Sequence, residues 1–152
     1  MSANDRIILD EILKQRQQEV DPNLAQSEFF ELFTAEQILK DHDFSYDEID
    51  SGLVDDGGDG GIDGYYLLVN GELVQEDSDY SYLRKNIDVE LVLIQSKMGG
   101  GFQETPVERF ISVSDDILDL SKSLSELETV YNSALVEGIR RFRDLQEQLA
   151  TN

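Results

Sequence analysis

The sequence has no cysteine and no tryptophan, only two prolines and a single histidine. Without cysteine the chain has neither disulfide bonds nor thiolate metal ligands. No apolar run approaches the ~20 residues that a membrane-spanning helix requires. The N-terminus, MSANDRIILDEILKQ, lacks the basic segment and following apolar segment of a signal peptide. These absences lead us to expect a cytoplasmic protein.

Positive charge is also scarce, since 12 Lys and Arg stand against 33 Asp and Glu, for a net charge of −21. Affinity for nucleic acid comes largely from Lys and Arg that displace counterions, so this balance alone disfavours a nucleic-acid partner. The 152 residues are 39% hydrophobic and include seven Phe and six Tyr. This length and composition predict one globular domain with a buried core.

The first third of the chain has the apolar spacing of helices. An amphipathic helix is predicted over residues 3–19. A second is predicted over residues 27–41, where Ser27 is a suitable N-cap. Ser45 and Glu48 have the spacing of a capping box, which predicts a short helical turn.

The middle of the chain has the pattern of strands. The run YYLLVNGELVQ predicts a hairpin that turns at Asn70 and Gly71. Residues 88–97, DVELVLIQSK, are apolar on both faces, which predicts a central strand buried on both sides. Helices are predicted from Pro106 to about Leu120 and over residues 125–149. The order α-α-β-β-β-α-α predicts an α/β (α+β) fold in which helices flank the sheet.

Three polar residues lie where this fold would bring them together. Gln95 and Lys97 alternate along the last strand, so they share one face. Asp63 begins the hairpin, directly after the glycine-rich run GGDGGI, where glycine allows sharp turns and close approach of a ligand. If the hairpin pairs beside the strand of residues 88–97, Asp63, Gln95 and Lys97 converge at one end of the sheet.

Such a cluster suits hydrolysis of a phosphodiester by a bound metal ion. Mg²⁺ (or Mn²⁺) requires one or two carboxylates and keeps several waters, so Asp63 would be its main ligand and the Gln95 amide oxygen a weaker one. Lys97 would orient the attacking water or stabilise charge on the phosphate. A carboxylate from the second helix would complete the site; Glu31 is our choice and Glu28 the alternative.

The motifs GGDGGIDG and IQSK, in this order, resemble the PD-(D/E)XK (restriction endonuclease-like) nuclease superfamily, with Gln95 as in its Mrr-like QxK variants. Together with FFELFTAEQIL, they resemble the N-terminal region of the abortive phage infection (AIPR) protein family. The resemblance implies a three-layer core with a mixed central sheet. It also implies a metal-dependent endonuclease that hydrolyses phosphodiester bonds of DNA in phage defence, with Asp63, Gln95, Lys97 and Glu31 as its catalytic residues.

The resemblance covers roughly residues 25–120. It divides the chain into an N-terminal helix (1–24), a nuclease-like core (25–122) and a long C-terminal helix (123–152) that leads into a further part of a longer protein. The chain departs from the superfamily in two respects. Gln95 is neutral, which weakens a second metal position, and no β-like run follows residue 105, where the superfamily core has another strand.

Other interpretations of these residues stay open. Gln95 and Lys97 also suit a solvated strand end. The acidic loop resembles an EF-hand in part, but Gly57 and Tyr66 occupy two positions where that loop needs oxygen ligands. The single histidine, His42, has the setting of a surface residue. The sole cluster of basic residues, Arg140, Arg141 and Arg143, suits either a phosphate backbone or a solvated helix face.

The charge of −21 leaves two functional hypotheses. In the first, the chain is a nuclease domain, with a basic DNA-binding surface elsewhere in a longer protein. In the second, it is a catalytically inactive, acidic nuclease-like fold that acts as a protein-interaction module. A homodimer is compatible with both hypotheses.

Overall fold

A computed structural model describes residues 2–54, 62–75, 78–80, 82–83, 85–96 and 104–150. The fold is α+β, as the sequence predicts. The helices and strands are α1 (Ala3–Val20), α2 (Gln26–Ile38), a 3₁₀ helix (Lys40–His42), α3 (Tyr46–Ser51), β1 (Gly64–Val69), β2 (Glu72–Leu73), β3 (Val89–Ile94), α4 (Glu104–Leu118), α5 (Leu124–Glu128) and α6 (Ser133–Ala150).

The sheet has the strand order β2-β1-β3, and both pairs are antiparallel. The predicted hairpin is confirmed: Val69 pairs with Glu72, and Asn70 and Gly71 both have positive φ angles, at 53° and 83°. Two positive φ angles give the turn the twist of the flanking strands. The prediction that the strand of residues 88–97 is central is wrong, because β1 is the middle strand of the described sheet and β3 lies at its edge. A run that is apolar on both faces indicates contacts on two faces and does not reveal which strand is central.

Helices cover both faces of the sheet, because alternate residues of β1 point to opposite sides. Tyr66 and Leu68 pack with α1, α2 and α3. Tyr65 packs with α4, α5 and α6, and Leu67 packs with α6. The core is therefore two apolar layers separated by a sheet, and β1 contributes to both.

The N-terminal helices follow the predicted pattern with one change at a helix start. The capping box is confirmed: Ser45 Oγ accepts a hydrogen bond from the Glu48 N–H, and Glu48 accepts one from the Ser45 N–H. Ser27 is not the N-cap of α2, since the helix begins one residue earlier and Ala25 is its N-cap.

The long helix predicted over residues 125–149 is two helices in the structure. A turn separates α5 from α6, and the side chain of Asn132 accepts a hydrogen bond from the Leu135 N–H at 2.9 Å at the start of α6. Val130 lies in the turn and is 61% exposed, although helical spacing over residues 125–149 predicts that it lies on the apolar face of one long helix. Asn and Asp side chains form such local bonds readily and so favour a new helix start over continuation.

None of the helices, as far as the structure describes them, is long and apolar enough to cross a membrane.

Candidate functional site

The site lies at the end of the sheet where β1 begins and β3 ends. Gly64 pairs with Ile94, and the N–H of Asp63 donates to the Ile94 carbonyl at 2.8 Å. On the other edge of β1, the Asp63 carbonyl accepts from the N–H of Val54 at 2.9 Å. The backbone of Asp63 is thus fixed between two segments of chain, which restricts the positions that its carboxylate can take.

Gly64 allows this close junction. A Cβ atom there would lie 3.1 Å from the ring of Tyr66 and 3.3 Å from Cβ of Ile94. A side chain at this position would push the start of β1 away from β3. The glycine beside Asp63 therefore keeps the two strand ends in register.

The carboxylate of Asp63 contacts the residues that follow β3. Its Oδ2 accepts a hydrogen bond from the Ser96 N–H at 2.7 Å, with the Ser96 hydroxyl 3.5 Å away. A short bond from a backbone N–H to a carboxylate is charge-assisted and stronger than a bond between neutral groups. Asp63 is half-buried, which reduces competition from water for this contact.

Gln95 lies between Ile94 and Ser96, directly after β3, and is half-buried. The sequence prediction that Asp63 and Gln95 meet at one sheet end agrees with this placement, since Asp63 contacts the residues on both sides of Gln95. Lys97 lies outside the described residues, as do the acidic glycine-rich residues 55–61 that precede the site.

Glu31 lies in α2 and is half-buried, whereas Glu28, the alternative, is exposed in the first turn of that helix. Helix α2 packs on the face of the sheet that Ile94 lines, and strict alternation along β3 places the Gln95 side chain on the opposite face, with Leu91 and Leu93. Burial makes Glu31 the better of the two candidates, because an exposed carboxylate in a first turn has an ordinary role there, stabilising the positive end of the helix dipole.

The donor atoms of this region are oxygens, which hard cations prefer as ligands. Asp63 supplies a carboxylate and Gln95 an amide oxygen, which are ligand types that Mg²⁺ accepts. Across the described part of the chain, no group of three or more His, Asp or Glu residues has the arrangement of a metal site. Asp63 and Gln95 are therefore compatible with a Mg²⁺ ion that keeps most of its waters. The described residues do not offer a complete set of protein ligands for it.

Two of the three arginines in the basic cluster of α6 pair with acids of the same helix, and Arg143 donates a hydrogen bond to the Asp119 carbonyl at 3.1 Å. Arg140 forms ion pairs with Glu137 and, at 2.7 Å, with Asp144. Arg141 lies 3.6 Å from Glu137, and its pairing lowers the pKa of that carboxyl after the larger effect of Arg140. The charges of Arg140 and Arg141 are offset within the helix, which disfavours a cationic surface for a phosphate backbone.

His42 has no catalytic setting in the structure. Its ring stacks on that of Phe44, with centroids 5.3 Å apart and planes inclined by 10°. It lies in the 3₁₀ helix after α2, away from the strand ends that carry Asp63 and Gln95. The expectation of a surface role agrees with this position.

A cavity of about 350 Å³ adjoins the site on the other edge of β1. Tyr65 and Leu67 line it from the sheet, Val54 from the segment after α3, and Gly138 and Arg141 from α6. The Tyr65 hydroxyl donates to the Gly138 carbonyl at 2.8 Å, and burial raises the pKa of this tyrosine. The sequence gives no signal of this cavity, because its walls come from four segments far apart in the chain.

Ser96 is the site residue that the sequence did not indicate. It stands between Gln95 and Lys97, so strict alternation places its side chain on the opposite face. Its contact with Asp63 arises because the pairing of β1 with β3 has ended by this point, and the backbone N–H of Ser96 turns to the carboxylate.

Comparisons of the chain with protein-family models, with curated proteins and with solved structures found no match. The likeness to a nuclease superfamily therefore rests on the motifs around Asp63, Gln95 and Lys97.

Proposed function

We propose that this chain is the catalytic domain of a metal-dependent endonuclease with a restriction endonuclease-like core, acting on DNA in phage defence. The observation that carries the proposal is the contact of the Asp63 carboxylate with the chain directly after Gln95, through the Ser96 N–H at 2.7 Å. A half-buried carboxylate and a half-buried amide side chain then lie at one sheet end, and Lys97 follows Gln95 by two residues in the sequence. Helices on both faces of the sheet support the proposed core.

Each residue has a defined task in this proposal. Asp63 and Gln95 hold Mg²⁺ or Mn²⁺, and Glu31 adds a carboxylate from α2. The ion, when bound, lowers the pKa of a bound water and polarises the phosphate. The N–H of Ser96 fixes the orientation of the Asp63 carboxylate, which reduces the reorganisation needed when the ion binds. Lys97 stabilises the negative charge that develops on the phosphate.

The test is calorimetric titration of Mn²⁺ and Mg²⁺ into the wild type and into Asp63→Asn, Gln95→Ala and Glu90→Gln. Glu90→Gln is the matched control, because it removes one exposed carboxylate from β3 at a distance from the strand end. We expect one saturable site that Asp63→Asn abolishes, Gln95→Ala weakens and Glu90→Gln leaves unchanged. Binding that is diffuse, or that is equal in all four proteins, would overturn the proposal.

Asp63→Asn also separates a structural role from a metal-binding role. Asparagine keeps an oxygen that accepts the Ser96 N–H and loses the charge that holds a cation. We expect its urea midpoint to stay near that of the wild type, while Asp63→Ala lowers it. Cleavage of plasmid DNA and of RNA, with Lys97→Ala as the inactive variant, then identifies the substrate class.

A second function, the acidic protein-interaction module without catalysis, is favoured by the pairing of Arg140 and Arg141 with acids of α6. A net charge of −21 repels nucleic acid unless a basic surface is supplied from outside these residues. This function predicts salt-dependent binding to basic proteins that Asp63→Asn leaves unchanged, in a chain that neither binds Mn²⁺ at one site nor cleaves DNA.

A further inference from the structure

Helix α1 has an apolar flank that the rest of the described structure leaves open. Leu13 is buried, and Leu9 and Val20 pack partly against the core formed with α2. Ile8 and Ile12, one turn apart on the adjoining side of the helix, are 58% and 47% exposed. Residues four apart are neighbours on a helix surface, so these two isoleucines form one continuous patch, here named the α1 flank.

The charge around the α1 flank differs from that of the chain as a whole. Helix α1 contains four acidic and three basic residues, a net charge of −1. The whole chain carries −21, so the remaining residues carry −20. Two copies of this chain repel each other over most of their surface, and the near balance of charges in α1 keeps that repulsion small there.

Another exposed apolar pair provides the contrast. Ile111 and Leu118 on α4 are 56% and 58% exposed, similar to the α1 flank. Asp115 and Asp116 lie in the last turn of α4, which has no basic residue. Contact between two copies through α4 would bring carboxylates together, so exposure of apolar side chains does not by itself favour pairing there.

We propose that two copies of the chain associate through the α1 flank, with the two α1 helices antiparallel. A two-fold axis between Ile8 and Ile12 sets Ile8 of each copy against Ile12 of the other, as an isologous interface requires. Asp5 and Arg16 lie at nearly equal distances on either side of that axis. The same pairing therefore brings Asp5 of each copy beside Arg16 of the other. Arg16 lies 3.5 Å from Glu19 and 3.7 Å from Glu36 of its own chain, and Asp5 would add an opposite charge from the partner copy.

The test is sedimentation equilibrium of the full chain from low to high micromolar concentration. We expect a reversible monomer–dimer equilibrium in the wild type. Ile8→Glu should raise the dimer Kd at least about tenfold, since each copy loses part of its apolar contact and gains like charge. Leu118→Glu is the control, because it adds the same charge at a site of equal exposure, and it should leave the Kd unchanged.

A wild type that stays monomeric throughout, or a dimer that Leu118→Glu weakens as much as the α1 variant does, overturns the proposal. Cross-linking adds a test that does not depend on the glutamate variants folding. The chain has no cysteine, so Ile8→Cys and Ile12→Cys place single thiols on otherwise thiol-free chains. Mixing and oxidising the two should give a disulfide-linked heterodimer, whereas Leu118→Cys with Ile12→Cys should not; equal yields from both mixtures contradict the proposed register.

Discussion

Tyr66 offers a direct measure of how strongly the sheet is tied to the N-terminal helices. Its side chain is 1% exposed, and its hydroxyl donates a hydrogen bond of 2.5 Å to the Ile49 carbonyl at the end of α3. Burial raises the pKa of this tyrosine, and the nearby charge of Asp50 adds to the effect. Tyr66→Phe keeps the ring and removes only the hydroxyl, so the loss of stability reports on that single bond.

The expected loss is about 1 to 1.5 kcal/mol in the free energy of unfolding. Removing the donor from a buried acceptor costs about 1–3 kcal/mol. The Ile49 carbonyl keeps a second donor, the N–H of Gly52 at 3.2 Å, so the loss should fall in the lower part of that range. The assay is urea denaturation followed by circular dichroism, where a slope of about 2 kcal/mol/M gives a midpoint shift of about 0.5–0.75 M.

Tyr65→Phe is the matched comparison. Tyr65 neighbours Tyr66 on β1 but is more exposed, and its hydroxyl donates to a carbonyl within α6. We expect a loss of roughly half that of Tyr66→Phe, because water can replace part of the bond. If Tyr66→Phe unfolds at the wild-type midpoint, or if the two variants lose equal stability, the reasoning about the buried hydroxyl is refuted.

Two further perturbations follow from the packing and the ion pairs. Gly52→Ala should lower the free energy of unfolding by about 1–3 kcal/mol in the same assay, because the added Cβ would overlap the ring of Tyr66. This loss should be smaller when Tyr66 is replaced by Leu, and an equal loss in both backgrounds contradicts the steric explanation. Lys122 and then Tyr131 hold the pKa of Asp116 below its ordinary value of 3.8 by hydrogen bonding. A lowered pKa adds stability above pH 3.8 that disappears as the pH falls through the folded-state value. Asp116→Asn should therefore be less stable than the wild type at pH 7 and lose that difference as the pH falls through the folded-state pKa, and a difference that stays constant with pH would contradict this linkage.

Features that the sequence predicted correctly depend on residues close together in the chain. The capping box of Ser45 and Glu48 needs one helical turn, and the turn at Asn70 and Gly71 needs two residues that tolerate positive φ. Their energetics are complete within a few residues, so spacing alone identifies them. The break before α6 is also local, since Asn132 caps the helix, but the strong apolar spacing on both sides of the turn concealed it.

The candidate site shows where such reasoning stops. The antiparallel pairing of β1 with β3 brings Asp63 to the end of β3, and the alternation of apolar residues restricts which registers bury both strands. The contact with Ser96 does not follow, because it forms after the ladder has ended and depends on how the chain leaves the sheet. A sequence can therefore predict which strand ends meet, since pairing is periodic. The donor that orients the carboxylate depends on irregular backbone, and that backbone determines whether Asp63 presents a fixed oxygen to a cation.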